Sequence, residues 1–233
     1  MGKRIIQQRR GKGSLTFRVK NNAYSIKSRY PDSDGKGIVL KLINSMGYTA
    51  PFAMIKVNNK IYFNTAADGI FETQEIEVGE KASIKNGNII PLKSLPIGTE
   101  ISNIELAPFC GGKLIRTGGS FATVTKKLDK TVAVLMPSKK EIILNEDCRA
   151  TIGRIAAGGR TEKPWVKAGA KFYSKKSKGH HYPRNSPIKR NAVDHPFGGG
   201  RGKNMGKPSI SPRWAPPGRK VGLLSPRKTG RGR

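Results

Sequence analysis

The stretch F-A-M-I-K-V-N-N-K-I-Y-F, Phe52 to Phe63, decides the fold class. Two short runs rich in β-branched and aromatic residues flank Asn58-Asn59, a pair suited to a tight turn, so the stretch predicts a β-hairpin. The same pattern continues on either side. Ile38 to Ile43 precedes it and Ile70 to Val78 follows, while Ser83 to Ile90 reads as a second hairpin around Asn86-Gly87. Past Leu95-Pro96-Ile97-Gly98 come Glu100 to Leu106, Lys113 to Arg116, Phe121 to Lys126, Thr131 to Met136, Glu141 to Leu144 and Thr151 to Ile155. No ten-residue stretch of this second group carries a helical apolar repeat. About ten short strands with turns roughly every eight to twelve residues specify an all-β fold of small barrels rather than a βαβ sheet. The Pro-Gly break near residues 91–98 favours two barrels over one large one.

Outside the strands the chain changes character. The 233 residues carry 45 Lys and Arg against 15 Asp and Glu, a net charge of +30. Residues 36–155 account for +5, residues 1–35 for +7 and residues 156–233 for +18. The balanced middle has the composition of a folding domain. The last third has too few large apolar residues to offset its ordering entropy alone, and its charge seeks a dense polyanion. The segment Gly2 to Arg29 shows neither helical nor alternating periodicity and reads as an extended basic arm. The longest uncharged run, the 14 residues from Leu42 to Ile55, is too short and too broken by Gly47 and Pro51 to span a bilayer. The basic start is followed by no apolar stretch, so no secretory signal is expected. Cys110 and Cys148 form no C-x-x-C pair and read as reduced thiols of a cytoplasmic chain.

Enzyme signatures are missing. Gly206-Lys207 runs into Pro208 and Gly112-Lys113 into Leu114, so neither completes a phosphate-binding loop, and no G-x-G-x-x-G occurs. His180-His181 has no Cys, Asp or Glu within twelve residues on either side and reads as polar, stacking residues rather than as metal ligands. In residues 156–233, cations alternate with Gly, Pro and the spaced aromatics Trp165, Phe172, Tyr173, Tyr182, Phe197 and Trp214. Lys and Arg neutralise phosphates, Gly permits close backbone approach, and aromatic and Arg planes stack on unpaired bases. No helix-turn-helix, zinc finger or basic zipper is present for reading DNA, so RNA is the favoured polyanion. An RNA chaperone or chromatin-like module is the competing class.

Four strings narrow this further. Asn191-Ala192-Val193-Asp194-His195-Pro196-Phe197-Gly198-Gly199-Gly200-Arg201-Gly202 resembles the V-D-H-P-x-G-G-G signature of the second-numbered protein family of the large ribosomal subunit. Pro108 to Gly119 is similar to that family's glycine-rich segment, Ile155 to Pro164 to its linker, and Met1 to Phe17 to its amino arm. Bacterial members carry a second histidine and an acidic residue where Phe197 and Arg201 stand, so the chain resembles the archaeal type.

The resemblance implies an OB-fold followed by an SH3-like barrel, with long basic irregular N- and C-terminal extensions. The expected divisions are a basic arm over 1–35, the OB-fold over 36–90, the SH3-like barrel over 91–165 and a basic extension over 166–233 ordered on rRNA. The implied role is structural and not enzymatic: binding large-subunit rRNA, supporting subunit association and shaping the surroundings of the peptidyl-transferase centre. Expected partners are rRNA, neighbouring ribosomal proteins and the small subunit, with no DNA, membrane or homo-oligomer. No cofactor is expected, and Mg2+ enters only through bound rRNA. Candidate RNA contacts in the amino arm are Arg4, Arg9, Arg10, Lys12 and Arg18, and on the barrels Lys56, Lys113 and Arg116. The linker adds Arg160, Lys163, Trp165 and Lys167, and the next segment Lys171, Lys175, Lys176, His180, His181 and Arg184. Lys189 and Arg190 lead into the signature, with His195, Gly198, Gly199, Gly200 and Arg201. The tail contributes Lys203, Lys207, Arg213, Trp214, Arg219 and Lys220. The family histidine has been suggested to assist peptide-bond formation. Here His195 and its glycines are expected to clamp an rRNA junction, with catalysis left to RNA.

Overall fold

The computed structural model describes residues 2–201, 204–227 and 229, and it is mostly sheet with few helices. Contacts divide the chain into two compact units, residues 21–167 and residues 1–20 with 168–233. In the first unit β2 (Phe52–Val57) and β3 (Lys60–Thr65) form the hairpin that the sequence predicts. Asn58 and Asn59 take φ angles of 45° and 63°, the paired positive values of a two-residue turn matched to strand twist. β1 (Gly35–Ile43) joins β2 on its far side and pairs with β4 (Glu75–Val78). The second predicted hairpin does not form. Residues 83–88 are turn and loop, and β5 (Ile89–Pro91) runs parallel to β4. The cause is side-chain bonding: the Glu77 carboxylate accepts the Ser83 N–H and hydroxyl, both at 2.7 Å, while the Asn88 amide donates to the Ser83 carbonyl at 2.8 Å. These bonds occupy the backbone that a ladder would need.

The later strands are β6 (Glu100–Ser102), β7 (Ile104–Glu105), β8 (Gly112–Leu114), β9 (Ala122–Leu128), β10 (Thr131–Leu135), β11 (Glu141–Asn145) and β12 (Arg149–Ile152). Ten strands share one sheet in the order β11-β10-β9-β6-β12-β5-β4-β1-β2-β3, and β7 pairs with β8 separately. This sheet serves two apolar cores. Val39, Ile55, Val57, Ile76 and Ile89 lie in one, and Ile90, Leu92, Ile101, Val124, Val134 and Ile152 in the other. The change falls between neighbours on β5, because successive side chains of a strand point to opposite faces. The Pro-Gly segment after it is no linker: Leu92 and Leu95 are fully buried in the second core.

Residues 21–35 belong with these strands rather than with a free arm. The Ala23 carbonyl accepts the Gly47 N–H at 2.7 Å and the Ser45 hydroxyl at 2.9 Å, and Tyr30 is buried in the first core. The Tyr30 hydroxyl donates to the Asn103 carbonyl at 2.5 Å and meets Thr151 at 2.8 Å, while the Asn64 amide donates to Thr151 at 3.1 Å. Burial pushes the Tyr30 phenol well above its ordinary range. Beside this network lies a buried ion pair. The Arg149 guanidinium donates through Nη2 to Glu105 Oε1 at 2.9 Å and through Nε to Oε2 at 3.3 Å, and through Nη1 to the Pro31 carbonyl at 2.6 Å. The same carboxylate accepts the backbone N–H groups of Gly111 and Arg149, each at 2.9 Å, and of Phe109 at 3.3 Å. Both thiols are free, and burial raises that of Cys148 to about 11. Among the described residues no helix is long and apolar enough to cross a membrane.

A buried charge stripped of its partner is costly, so Arg149→Met should lower the stability of the full chain by about 3–5 kcal/mol. The Glu105→Gln, Arg149→Met pair should lose less than the single variant, measured by urea unfolding followed by circular dichroism.

Candidate nucleic-acid interface

The second unit holds 24 Lys and Arg against one carboxylate, that of Asp194. Such a charge resists compaction, yet three apolar residues from distant parts of the chain meet: Ile5, Phe197 and Val221, all nearly fully buried. The amino end is therefore not extended. It forms α1 (Ile6–Gly11), begun by the Gln8 side chain accepting the Ile5 N–H at 3.0 Å, with Arg9 and Arg10 in its last turn, where positive charge suits the helix dipole. The Lys3 N–H donates to the Val193 carbonyl at 2.8 Å. A second helix that periodicity did not indicate, α2, spans Ala168–Ser177 and buries none of its residues. Its Ala and Lys content favours a helix without an apolar face.

The signature string forms a tight loop around His195. The Asp194 and His195 N–H groups both donate to the Asn191 carbonyl, and the Gly198 N–H returns to the His195 carbonyl at 2.9 Å. A side chain at Gly198 would strike the Arg190 and Asn191 carbonyls, the former 2.5 Å from where its Cβ would lie, so the crowding demands glycine. The imidazole is 5% exposed, and its Nδ1 accepts the Phe197 N–H at 3.1 Å, which leaves the ring proton on Nε2. Asp194 faces away to Lys3, 3.7 Å distant, and is not the partner of the ring. Burial first, and the Arg190 charge second, hold the imidazole pKa below its ordinary value.

Among the described residues, three clefts of this unit gather basic side chains. Arg4, Arg9, Arg190 and His181 line one of about 550 Å³ together with Lys3 and Asp194. Arg10, Lys171, Lys175, His180, His181 and Arg184 line a second with Tyr182. Arg4, His195, Lys207 and Arg219 line a third. Twelve of the sequence-derived candidates are thus gathered on these walls. The others of this unit stand elsewhere: Lys12, Lys189, Arg201 and Gly200 are exposed, Gly199 is half-buried, and Arg18 donates to the Gly13 carbonyl at 2.7 Å. Lys176 lies over Phe172 and Arg213 over Trp214, and Lys220 donates to the Arg213 carbonyl at 3.1 Å. Lys203 lies outside the described residues. Lys3 and Asn185, which also line the first cleft, were not legible as candidates, since nothing in their neighbours separates them from other polar residues.

In the sheet unit Lys56, Lys113, Arg160, Lys163, Trp165 and Lys167 are exposed. Arg116 is tied down: its Nη2 donates to the Tyr48 hydroxyl at 3.2 Å and its Nη1 to the Gly112 carbonyl at 3.3 Å. Arg160 donates to the Gly118 carbonyl at 3.3 Å.

With this geometry in view, the family described as Ribosomal Proteins L2, C-terminal domain, matches residues 85–215. The chain is 42% identical to large ribosomal subunit protein uL2 of Methanothermobacter thermautotrophicus, over the full length of both. It is 42% identical to that of Archaeoglobus fulgidus over 99% of each chain, and 39% identical to that of Korarchaeum cryptofilum over 99% of this chain and 96% of the relative. The chain belongs to the uL2 family. All three relatives are archaeal, the type that the departures at Phe197 and Arg201 indicate. Phe197, one of the departures, is the residue that closes the small core over Ile5 and Val221.

Magnetic resonance titration of His195 should give a midpoint below the roughly 6.5 of a free imidazole. Arg190→Gln should raise it only partly, because burial is the larger cause. The folded pKa is the lower one, so the ring's contribution to stability is fully present above the unfolded pKa and is lost as pH falls through the folded one.

Proposed function

We propose that the chain is a structural constituent of the large ribosomal subunit that binds rRNA, with no catalytic step of its own. The observation that carries the RNA-binding reading is the second unit, where 24 Lys and Arg stand against one carboxylate and Lys, Arg and His side chains line open clefts. uL2 membership supplies the ribosomal context. In this reading the two cores of the sheet are an OB-fold followed by an SH3-like barrel, and the exposed Lys56, Lys113 and Lys163 add contacts that set orientation on the RNA. The second unit supplies most of the phosphate neutralisation and reaches its working order on rRNA, near the peptidyl-transferase centre and in support of subunit association. Cytoplasmic location, the neighbouring ribosomal proteins and Mg2+ held only by the RNA follow from the same assignment. His195 is a clamp: a buried imidazole whose Nδ1 is engaged by backbone is poorly placed to take a proton from an amine.

The test is sedimentation. The chain should travel in a one-to-one ratio with the large subunit through a high-salt wash; recovery free, or on mixed nucleic acid, would identify a chaperone-like module instead. In binding to large-subunit rRNA, replacing Arg4, Arg9 and Arg219 by Gln should flatten the plot of log affinity against log salt, by about 0.7–0.9 for each phosphate no longer neutralised. His195→Ala should impair assembly of the subunit. Normal assembly with a severely slowed chemical step would contradict the clamp.

A further inference from the structure

We propose that the cleft between α2 and residues 180–184 holds one unpaired nucleotide of the RNA, its base stacked on Tyr182 and its phosphate on Lys175, Arg184 and Arg10. The proposal rests on the RNA-binding reading and names a site for it. The local fold builds the cleft from both ends of the chain. α2 ends at Ser177 and is capped by Gly179, whose φ is +66° and whose N–H donates to the Lys176 carbonyl at 3.1 Å, while the His180 N–H reaches back to the Lys175 carbonyl at 2.9 Å. This double closure turns the chain beside the last turns of the helix. Lys171 and Lys175, four residues apart, share the helix face that lines the cleft. A Cβ on Gly179 would lie 3.2 Å from the Phe17 carbonyl oxygen and 3.1 Å from a Val19 methyl, so the amino segment lies directly on this cap. The Phe17 ring stands 6.4 Å from that of His181, and Arg10 enters the lining from α1.

Charge and shape then select the occupant. Among the described residues four Lys and Arg side chains line the cleft and no carboxylate does, since Asp194 lies on the neighbouring wall beside Lys3. Unbalanced cations at this density call for an anion. A bare phosphate would leave most of the cleft of about 500 Å³ empty, a volume in the range of small-ligand sites. The remaining wall is aromatic. Tyr182 is half-buried, and the Lys171 ammonium sits 5.3 Å from its ring centroid, which turns that ring face into the cleft. A base taking the place of the ammonium keeps the face covered and releases Lys171 to a phosphate. Paired bases stay inside their helix, so an aromatic wall of this kind recognises an unpaired one.

The probes are a short oligouridylate carrying one 2-aminopurine and a fully paired RNA with the same number of phosphates, each titrated with the full chain. Wild type and Tyr182→Phe should bind the single strand alike and quench the 2-aminopurine. Tyr182→Leu should weaken the single strand about tenfold to a hundredfold, with the salt slope and duplex affinity unchanged and the quenching lost. Lys175→Gln should lower affinity and flatten the slope. Full single-strand affinity in Tyr182→Leu, an equal loss on the duplex, or no quenching by wild type would overturn the stacking site while leaving RNA binding intact. Failure of wild type to bind either RNA would overturn the RNA-binding reading as well.

Discussion

The Glu105–Arg149 pair is the constraint around which the sheet unit is arranged. Isolated charges do not enter a protein interior, and this pair is tolerated because its hydrogen-bonding groups are matched by guanidinium donors, three backbone N–H groups and the Pro31 carbonyl. The Arg149 guanidinium also lies over the rings of Tyr30 and Phe109, at 5.4 and 5.1 Å from their centroids. Segments around residues 30, 105, 110 and 149 must therefore arrive together. An apolar cluster tolerates small changes of position, whereas this arrangement accepts one geometry, and so it places the glycine-rich segment after Phe109.

The second unit works under the opposite condition. Its electrostatic energy favours expansion, and among the described residues its apolar core is three side chains. Backbone hydrogen bonds such as those around His195 add definition, but each contributes little net stability in water. The balance favours a body whose outline is set in advance and which, in the proposed RNA-binding role, leaves its cations for phosphate. Joining residues 1–20 to the C-terminal residues lowers the ordering entropy that the proposed binding to rRNA would still cost, compared with two separate tails.

The hairpin at Phe52–Phe63 was legible because turn chemistry and strand periodicity are local, and each later strand from Glu100 to Ile155 has a counterpart in the structure. The failures were non-local or competitive. Asn86-Gly87 has hairpin chemistry, yet Glu77 and Asn88 capture Ser83 from outside the dipeptide. Ile5 looks unremarkable within a basic arm, and only its distant partners Phe197 and Val221 give it a place to bury. Composition marked the right residue types for the basic clefts. It could not show that Arg10 and Lys175 line one wall, because their proximity depends on the meeting of the two chain ends.

Adjacent Ile89 and Ile90 face different interiors from a three-residue strand. A single inserted or deleted residue there would exchange the two sets of side chains, so the two halves are locked in reading frame with each other. They cannot be separated, lengthened or recombined at the point where the sequence most resembles a boundary. Evolution of this chain should accordingly admit length changes in its turns and its ends, and exclude them from the shared strand.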